Sequence, residues 1–143
     1  MKQVGLLLSS ICIFLVILVN FYYNSVTLDV QKMKYYVIEA NMILEDIVKK
    51  EDYVEEKKDE YISRLLTLKK GIENSKTTFI VSEYKNYKLK SIESLIYSVS
   101  QKSSRSTHLE NVIKYNTLGE KELDKLVNKN FMKVTYLSNN TYI

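Results

Sequence analysis

Residues 23–72 read YNSVTLDVQKMKYYVIEANMILEDIVKKEDYVEEKKDEYISRLLTLKKGI and carry one apolar pattern in a single phase. Counting alternately three and four residues from Tyr23, thirteen of fifteen positions are apolar or Tyr, and the exceptions are Glu51 and Lys58. Such spacing puts the apolar side chains on one face of a helix, and that face needs a covering surface. We name this face the seam, with the members Val30, Met33, Val37, Ala40, Leu44, Ile47, Val54, Tyr61, Leu65, Leu68 and Ile72.

The polar segment KKEDYVEEKKDE, residues 49–60, interrupts the seam and leaves its course open. There is no Pro, and no Gly lies between Gly5 and Gly71, so one helix could run straight on for a length on the order of 100 Å. The polar segment could equally be the place where the helix bends. In either case its carboxylates are interpreted as a solvated helix face rather than a calcium site. The seam would be covered by the second half of the chain or by another subunit.

The seam is preceded by an uncharged stretch, VGLLLSSICIFLVILV, at residues 4–19. With the following Asn and three aromatic residues it attains the roughly 20 residues that a membrane-spanning helix needs. No small-residue cleavage site follows Val19, so we expect an uncleaved anchor at residues 4–23 behind a cytoplasmic tail of residues 1–3. We expect a single-pass protein of the cell membrane, with most of the chain outside the cytoplasm. The principal anchor side chains are Leu6, Leu7, Leu8, Ile11, Phe14, Leu15, Ile17 and Leu18.

The second half of the chain has a weaker helical pattern. Gly71 and the Asn74-Ser75 pair predict the end of the long helix of residues 24–74 and a turn. A second helical segment, residues 75–137, follows, and a frayed tail is expected at residues 138–143. The first helix of this segment would begin near Thr78, and its broad apolar face holds Ile80, Tyr84, Ile92, Leu95 and Val99.

Three further features divide the second segment. Residues 79–81, Phe-Ile-Val, could instead form a short strand, and the Ser-rich basic stretch of residues 101–106 is typical of a linker. Thr107 and Thr117 each precede a Glu by three residues, which is the capping-box spacing and predicts two separate short helices. The predicted fold class is all-α: a transmembrane helix continues into a long amphipathic helix, and shorter helices pack back as a hairpin or bundle.

The charge is unevenly divided along the chain. Residues 25–74 have a net charge of −2, and residues 75–143 have a net charge of +5. Opposite net charges favour folding of one half onto the other, although a single surface ion pair contributes only ~0.2–1 kcal/mol.

The composition excludes several kinds of chemistry. One Cys and one His exclude Cys-built metal centres and paired-histidine zinc sites, and three isolated Gly residues exclude a glycine-rich phosphate loop. Ser82 and Lys85 match the S-x-x-K pattern without its companion motifs, and His108 is interpreted as a surface residue. We therefore expect no enzyme activity, no cofactor, no metal and no nucleic-acid partner. Membrane lipid around the anchor, and a protein partner or a second copy at the seam, are the expected contacts.

Two resemblances of layout concern residues 1–72. The succession of short tail, single span and coiled-coil pattern resembles bitopic coiled-coil proteins of bacterial envelopes, including small division-complex subunits, which implies a role in bridging or spacing partners. The stretch Lys2-Gln3-Val4-Gly5 before the apolar helix is similar to the start of a type IV prepilin, which implies cleavage after Gly5. The glutamate and the phenylalanine of that family fall on Ser10 and Leu6 here.

These observations favour an interaction or scaffold subunit of a cell-envelope assembly. The first alternative is a pilin-like minor subunit of a type IV pilus, secretion or competence system. The second alternative is a sensor-like helical ectodomain that binds a small ligand between its helices.

Overall fold

The computed structural model describes the backbone of residues 2–127 and the side chains of residues 9–127. Over this range the chain forms four helices: α1 (Lys2–Lys49), α2 (Lys58–Asn74), α3 (Ser82–Ser100) and α4 (Arg105–Val127). Single 3-10 turns lie at Glu51–Tyr53, Phe79–Val81 and Lys102–Ser104, and residues 2–127 contain no strand. The all-α prediction is confirmed. The frayed tail and the last part of the second segment lie outside the described residues.

The polar segment of residues 49–60 is where the chain reverses direction. Three contacts show that α2 runs antiparallel to α1: Tyr61 donates a hydrogen bond to Asp46, Arg64 lies 3.3 Å from Glu39, and the Lys32 ammonium donates to a carbonyl just beyond α2 at 2.7 Å. The straight rod is therefore wrong, and the bend is correct. Within the turn, Val54 is only 1% exposed, whereas its neighbours are exposed. Val54 is therefore the seam residue that packs this solvated turn against the core.

The remaining helices complete an up-down-up-down arrangement. Lys69 of α2 lies 2.6 Å from Glu93 of α3, and the Lys58 ammonium donates to the Ser100 carbonyl at 3.0 Å, so α2 and α3 are antiparallel. An antiparallel pairing of α3 with α4 follows from the 2.6 Å ion pair between Lys88 and Glu120. Short connections between antiparallel neighbours are typical of four-helix bundles. The bundle uses only the part of α1 from about Val26 onward.

The seam forms the centre of the core because its first half packs against its second half and against α3. Eight seam members are buried: Met33, Ala40, Ile47, Val54, Tyr61, Leu65, Leu68 and Ile72. Val30, Val37 and Leu44 are partly buried at its margin. On α3, Tyr84, Ile92, Leu95 and Val99 are buried as the pattern predicted, and Ile80 is partly buried. Burial of one large apolar side chain contributes about 1.5–3 kcal/mol, so packing of the seam is the main contribution to the stability of the bundle.

The helix α2 ends at Asn74, where the sequence placed the helix end, and the chain turns at Ser75. Gly71 lies inside α2 and is not part of that stop. A Cβ atom added to Gly71 would lie 2.6 Å from Cζ of Tyr36. Gly71 is needed for the close approach of α1 and α2. Its backbone is helical, and no described Gly has a positive φ.

The two short helices predicted after residue 106 are one helix, α4. Thr117 caps nothing, because its hydroxyl donates to the Ile113 carbonyl at 2.9 Å within α4. Gly119 continues the helix and lies beneath Lys88, whose Cε would be 3.3 Å from an added Cβ. The linker is also shorter than expected because α4 begins at Arg105, and the strand alternative at residues 79–81 is wrong because these residues form a 3-10 turn.

Candidate interaction surface and membrane-spanning helix

The seam is covered by the chain itself. Met33, Leu65 and Ile72 have 0% exposure, so no second protein can touch them in this arrangement. Of the two covers that the sequence left open, the structure shows the intramolecular one. An interaction surface therefore has to lie elsewhere on the bundle.

The first part of α1 stands outside the bundle. Its most apolar 18-residue window has a mean hydropathy of 1.9 and is 6% buried, so this helix is long and apolar enough to cross a membrane. Five predicted anchor side chains are exposed to the surroundings: Ile11, Phe14, Leu15, Ile17 and Leu18. The backbone of residues 6–8 belongs to α1, and the side chains of Leu6, Leu7 and Leu8 lie outside the described range.

A second apolar face runs along α1 on the side turned away from the core. We name it the outer stripe. It consists of five large side chains spaced seven residues apart, together with Ile38. Its members and their exposed fractions are Phe14 60%, Phe21 66%, Leu28 55%, Tyr35 64%, Ile38 46% and Met42 56%. The stripe begins in the apolar part of α1 and continues alongside the bundle to Met42, with the polar residues Asn24, Gln31 and Glu45 beside it. Sequence reasoning missed it because the seam on the same helix has a denser pattern, although the strict seven-residue spacing is visible in the sequence.

Asp29 ties α1 to the segment between α2 and α3, and it is only 2% exposed. Its carboxylate accepts hydrogen bonds from Lys32 Nζ at 2.8 Å, from the Thr78 N–H at 2.6 Å and from the Thr78 hydroxyl at 2.7 Å. Burial acts to raise the pKa of Asp29, but the hydrogen bonds from Lys32 and Thr78 outweigh it, and the pKa is lowered. This buried carboxylate holds the α2–α3 connection against the part of α1 where the bundle begins.

Arg105 joins the two turns at the opposite end of the bundle. Its Nε donates to the Ser98 carbonyl at 3.0 Å, and its guanidinium donates to Glu55 at 2.6 Å. Arg105 is 5% exposed, whereas the Glu55 side chain is 41% exposed. Arg105, at the start of α4, thus places a buried cation against the Glu55 carboxylate in the turn between α1 and α2. This ion pair joins that turn to the second half of the chain.

A second buried cation, Lys88, lies between α3 and α4. It is 3% exposed, its ammonium is 2.6 Å from Glu120, and it lies 5.3 Å from the centre of the Tyr84 ring. Burial, with a smaller contribution from Glu120, raises the pKa of Tyr84 to about 12. Lys88 lies at helical spacing between Tyr84 and Ile92, on the apolar face of α3. The structure explains it through Gly119, whose missing side chain leaves room for the lysine stem.

Tyr61 and Asp46 form a fourth polar junction, between α1 and α2. The Tyr61 hydroxyl donates to Asp46, and burial together with this bond raises the pKa of Tyr61 to about 12. The pKa of Asp46 is lowered, first by the hydrogen bond from Lys50 and then by that from Tyr61. These four junctions join the helices and turns of the bundle through hydrogen bonds and ion pairs.

Two residues considered above for reactive chemistry, Lys85 and His108, form contacts within the chain. Lys85 donates to the carbonyls of Glu73 and Ser75 at 3.0 and 2.7 Å, so its ammonium holds the end of α2. His108 lies 3.1 Å from the Gln101 side chain. Among the described residues no three His, Cys, Asp or Glu side chains group as metal ligands.

One open groove lies between α3 and α4 and has a volume of about 370 Å³. The Tyr97 and His108 rings border it with their centres 5.5 Å apart. The other lining residues are Lys90, Glu93, Ser94, Asn111 and Tyr115. The groove is open to the surroundings, and its lining is aromatic and polar.

The described chain is thus an antiparallel four-helix bundle whose first helix extends beyond it as an apolar rod. No protein-family model, no curated protein and no solved structure matches this chain.

Proposed function

We propose that this protein is a single-pass membrane protein that acts as an interaction or scaffold subunit of a cell-envelope assembly. The observation that carries the proposal is the continuity of α1 from Lys2 to Lys49. The apolar part passes into the bundle within a few residues of Tyr23, with no Gly or Pro between them. A bundle attached in this way is held at the membrane surface in one orientation, which is the property that a spacer or docking subunit needs.

The surface chemistry supports binding more than catalysis. Among the polar groups with altered pKa values, the Asp29 carboxylate and the Tyr61 hydroxyl form hydrogen bonds within the chain. The outer stripe, by contrast, presents large apolar side chains to the surroundings. Exposed apolar side chains along one helix face are typical of sites of contact with proteins or membranes.

The anchor and its orientation are tested by labelling with a membrane-impermeant maleimide in intact cells. In a Cys12→Ser background, the thiol introduced by Ser103→Cys on the exposed α3–α4 turn should react without permeabilisation, because the bundle is proposed to lie outside the cytoplasm. The original chain, which has Cys12 and no introduced thiol, is the matched control. Its Cys12 should stay unlabelled because it is proposed to lie within lipid. Reaction of the introduced thiol only after permeabilisation would reverse the orientation, and release of the chain by alkaline carbonate would refute the anchor.

The scaffold role is tested by cross-linking in cells, solubilisation and affinity capture of the full chain. Recovery of a second protein together with the chain would support the scaffold role, and recovery of the chain alone would contradict it.

A pilin-like subunit is the second candidate, and the unbroken passage from apolar to amphipathic helix in α1 favours it. It requires a mature amino terminus at Leu6, which peptide mass spectrometry of the membrane-extracted protein determines. A sensor-like ectodomain is the third candidate, and the α3–α4 groove favours it. A ligand-dependent rise of the melting temperature that is lost in Tyr97→Ala would support it.

A further inference from the structure

We propose that the outer stripe binds a second copy of this chain, with the two α1 helices parallel and in register. This inference rests on the proposed membrane anchor, because two copies inserted in one bilayer have their first helices pointing the same way. The stripe positions are spaced by seven residues from Phe14 to Met42, which is the repeat that lets two helices keep contact along their length. The same positions would meet on both copies, as a twofold interface requires.

The charges beside the stripe fit this arrangement. With Leu28, Tyr35 and Met42 at position a of the heptad, Lys34 occupies position g and Glu39 occupies the following position e. In a parallel pair these two positions face each other across the interface, so a Lys34–Glu39 contact forms twice by symmetry. Glu39 also lies 3.3 Å from Arg64 of its own chain, and a carboxylate accepts from two cations at once.

The size of the stripe is at the lower limit for a specific pair. Large apolar side chains that are about half exposed each offer on the order of 100 Å², so the five members from Phe21 to Met42 bury ~1,000 Å² over both copies. Phe14 extends the contact into the apolar part of the helix. An interface of this size holds best when the two partners are already confined together.

Polar residues at position d weaken this pair. Asn24, Gln31 and Glu45 occupy this position, and its apolar members are Ile17 and Ile38. In a parallel pair the two Glu45 side chains lie at the same level, and polar residues inside a coiled coil lower its stability. We therefore infer a pair that forms in the membrane, where two anchored copies are concentrated, and that dissociates when detergent dilutes them.

The occupant of the stripe is identified by placing the photoreactive residue p-benzoylphenylalanine at position 35 of the full chain in membranes. Tyr35 is 64% exposed, so an aromatic replacement there leaves the core unchanged. The expected product has twice the mass of the chain and is cross-linked to α1 of the second copy. A product with another protein, a cross-link to residues 128–143 of the same chain, or no product at all would each overturn the proposal.

The register is tested with single cysteines in a Cys12→Ser background. Leu28→Cys and Tyr35→Cys should give at least about fivefold more disulfide-linked dimer than Ser63→Cys, an exposed control on α2, because only Cβ atoms on the outer stripe approach their counterparts closely enough. Equal yields at all three positions would indicate random collision and refute the interface.

A charge exchange provides the final test. Lys34→Glu and Glu39→Lys should each lower the dimer yield of Tyr35→Cys by roughly twofold to fivefold, and the two together should restore it. Failure of the double exchange to restore the yield would refute the parallel register. Carbonate extraction of every variant separates the two proposals: a chain that stays in the membrane without dimerising refutes the pair alone, and a released chain refutes the anchor.

Discussion

Replacement of Asp29 by Asn should destabilise the bundle strongly, although the two side chains have the same shape. The Asp29 carboxylate accepts three hydrogen bonds, two from Thr78 and one from Lys32, and is 2% exposed. An Asn side chain keeps one acceptor oxygen and turns an N–H₂ group toward a donor. Since a buried hydrogen bond to a charged group contributes about 1.5–3 kcal/mol, we expect a loss of about 2–4 kcal/mol.

The measurement is thermal unfolding of the detergent-solubilised full chain. Near-ultraviolet circular dichroism reports on packing of the bundle, because the chain has twelve Tyr and no Trp and the span contributes little to this signal. For a bundle of about 100 residues, 1 kcal/mol corresponds to at least about 4 °C, so the melting temperature should fall by roughly 8–16 °C. Asp124→Asn is the control, and as an exposed substitution it should change stability by less than about 0.5 kcal/mol.

The pH dependence provides an independent check on the same residue. The pKa of Asp29 is lowered in the folded state, so its carboxylate stabilises the fold fully above the unfolded pKa of about 3.9, and the stabilisation is lost as the pH falls through the folded value. The difference between the original protein and the Asn variant should be constant from about pH 5 to 7 and should narrow below about pH 4. A shift smaller than about 2 °C at neutral pH, or a difference that persists in acid, would refute the reasoning.

Four further substitutions test the packing by the same unfolding assay. Met33→Ala should cost about 2–5 kcal/mol because Met33 is fully buried, whereas Met42→Ala on the outer stripe should cost less than about 0.5 kcal/mol. Gly71→Ala should destabilise by about 1–3 kcal/mol, the opposite of its usual effect in a helix, because the new Cβ overlaps the Tyr36 ring. Arg105→Ala should cost about 2–3 kcal/mol through the bonds lost to both turns.

Each of these predictions has an outcome that contradicts it. Equal losses at the two methionines would mean that α1 is rotated from the orientation described. A stabilising Gly71→Ala would mean that α1 and α2 are not in close contact. An unchanged melting temperature for Arg105→Ala would mean that the two turns are joined by other contacts.

The periodicity of the sequence was enough to predict the helices and most of the core. Every seam residue is buried or partly buried, because a side chain's position on a helix follows directly from its spacing. Whether the seam folds on itself was not predictable in this way. A straight helix and a hairpin place Met33 and Leu65 on the same face, and only their mutual packing distinguishes the two.

The errors occurred where a local signal competed with a tertiary contact. Gly71 resembled a helix stop but allows close approach of Tyr36. The buried groups Asp29 and Arg105 were missed because their partners are far away in sequence, at Thr78 and Glu55. A charged residue gives no sequence signal of burial when its compensating group comes from another helix.

Under the proposed membrane anchor, the length of α1 sets how far from the bilayer this protein can act. From Tyr23 to Lys49 the helix rises about 40 Å at 1.5 Å per residue, and the turn to α2 follows. α1 has no break between its apolar part and the bundle. In the proposed arrangement the bundle therefore stays within about 40 Å of the lipid headgroups, and lateral diffusion in the plane of the membrane would govern its encounters.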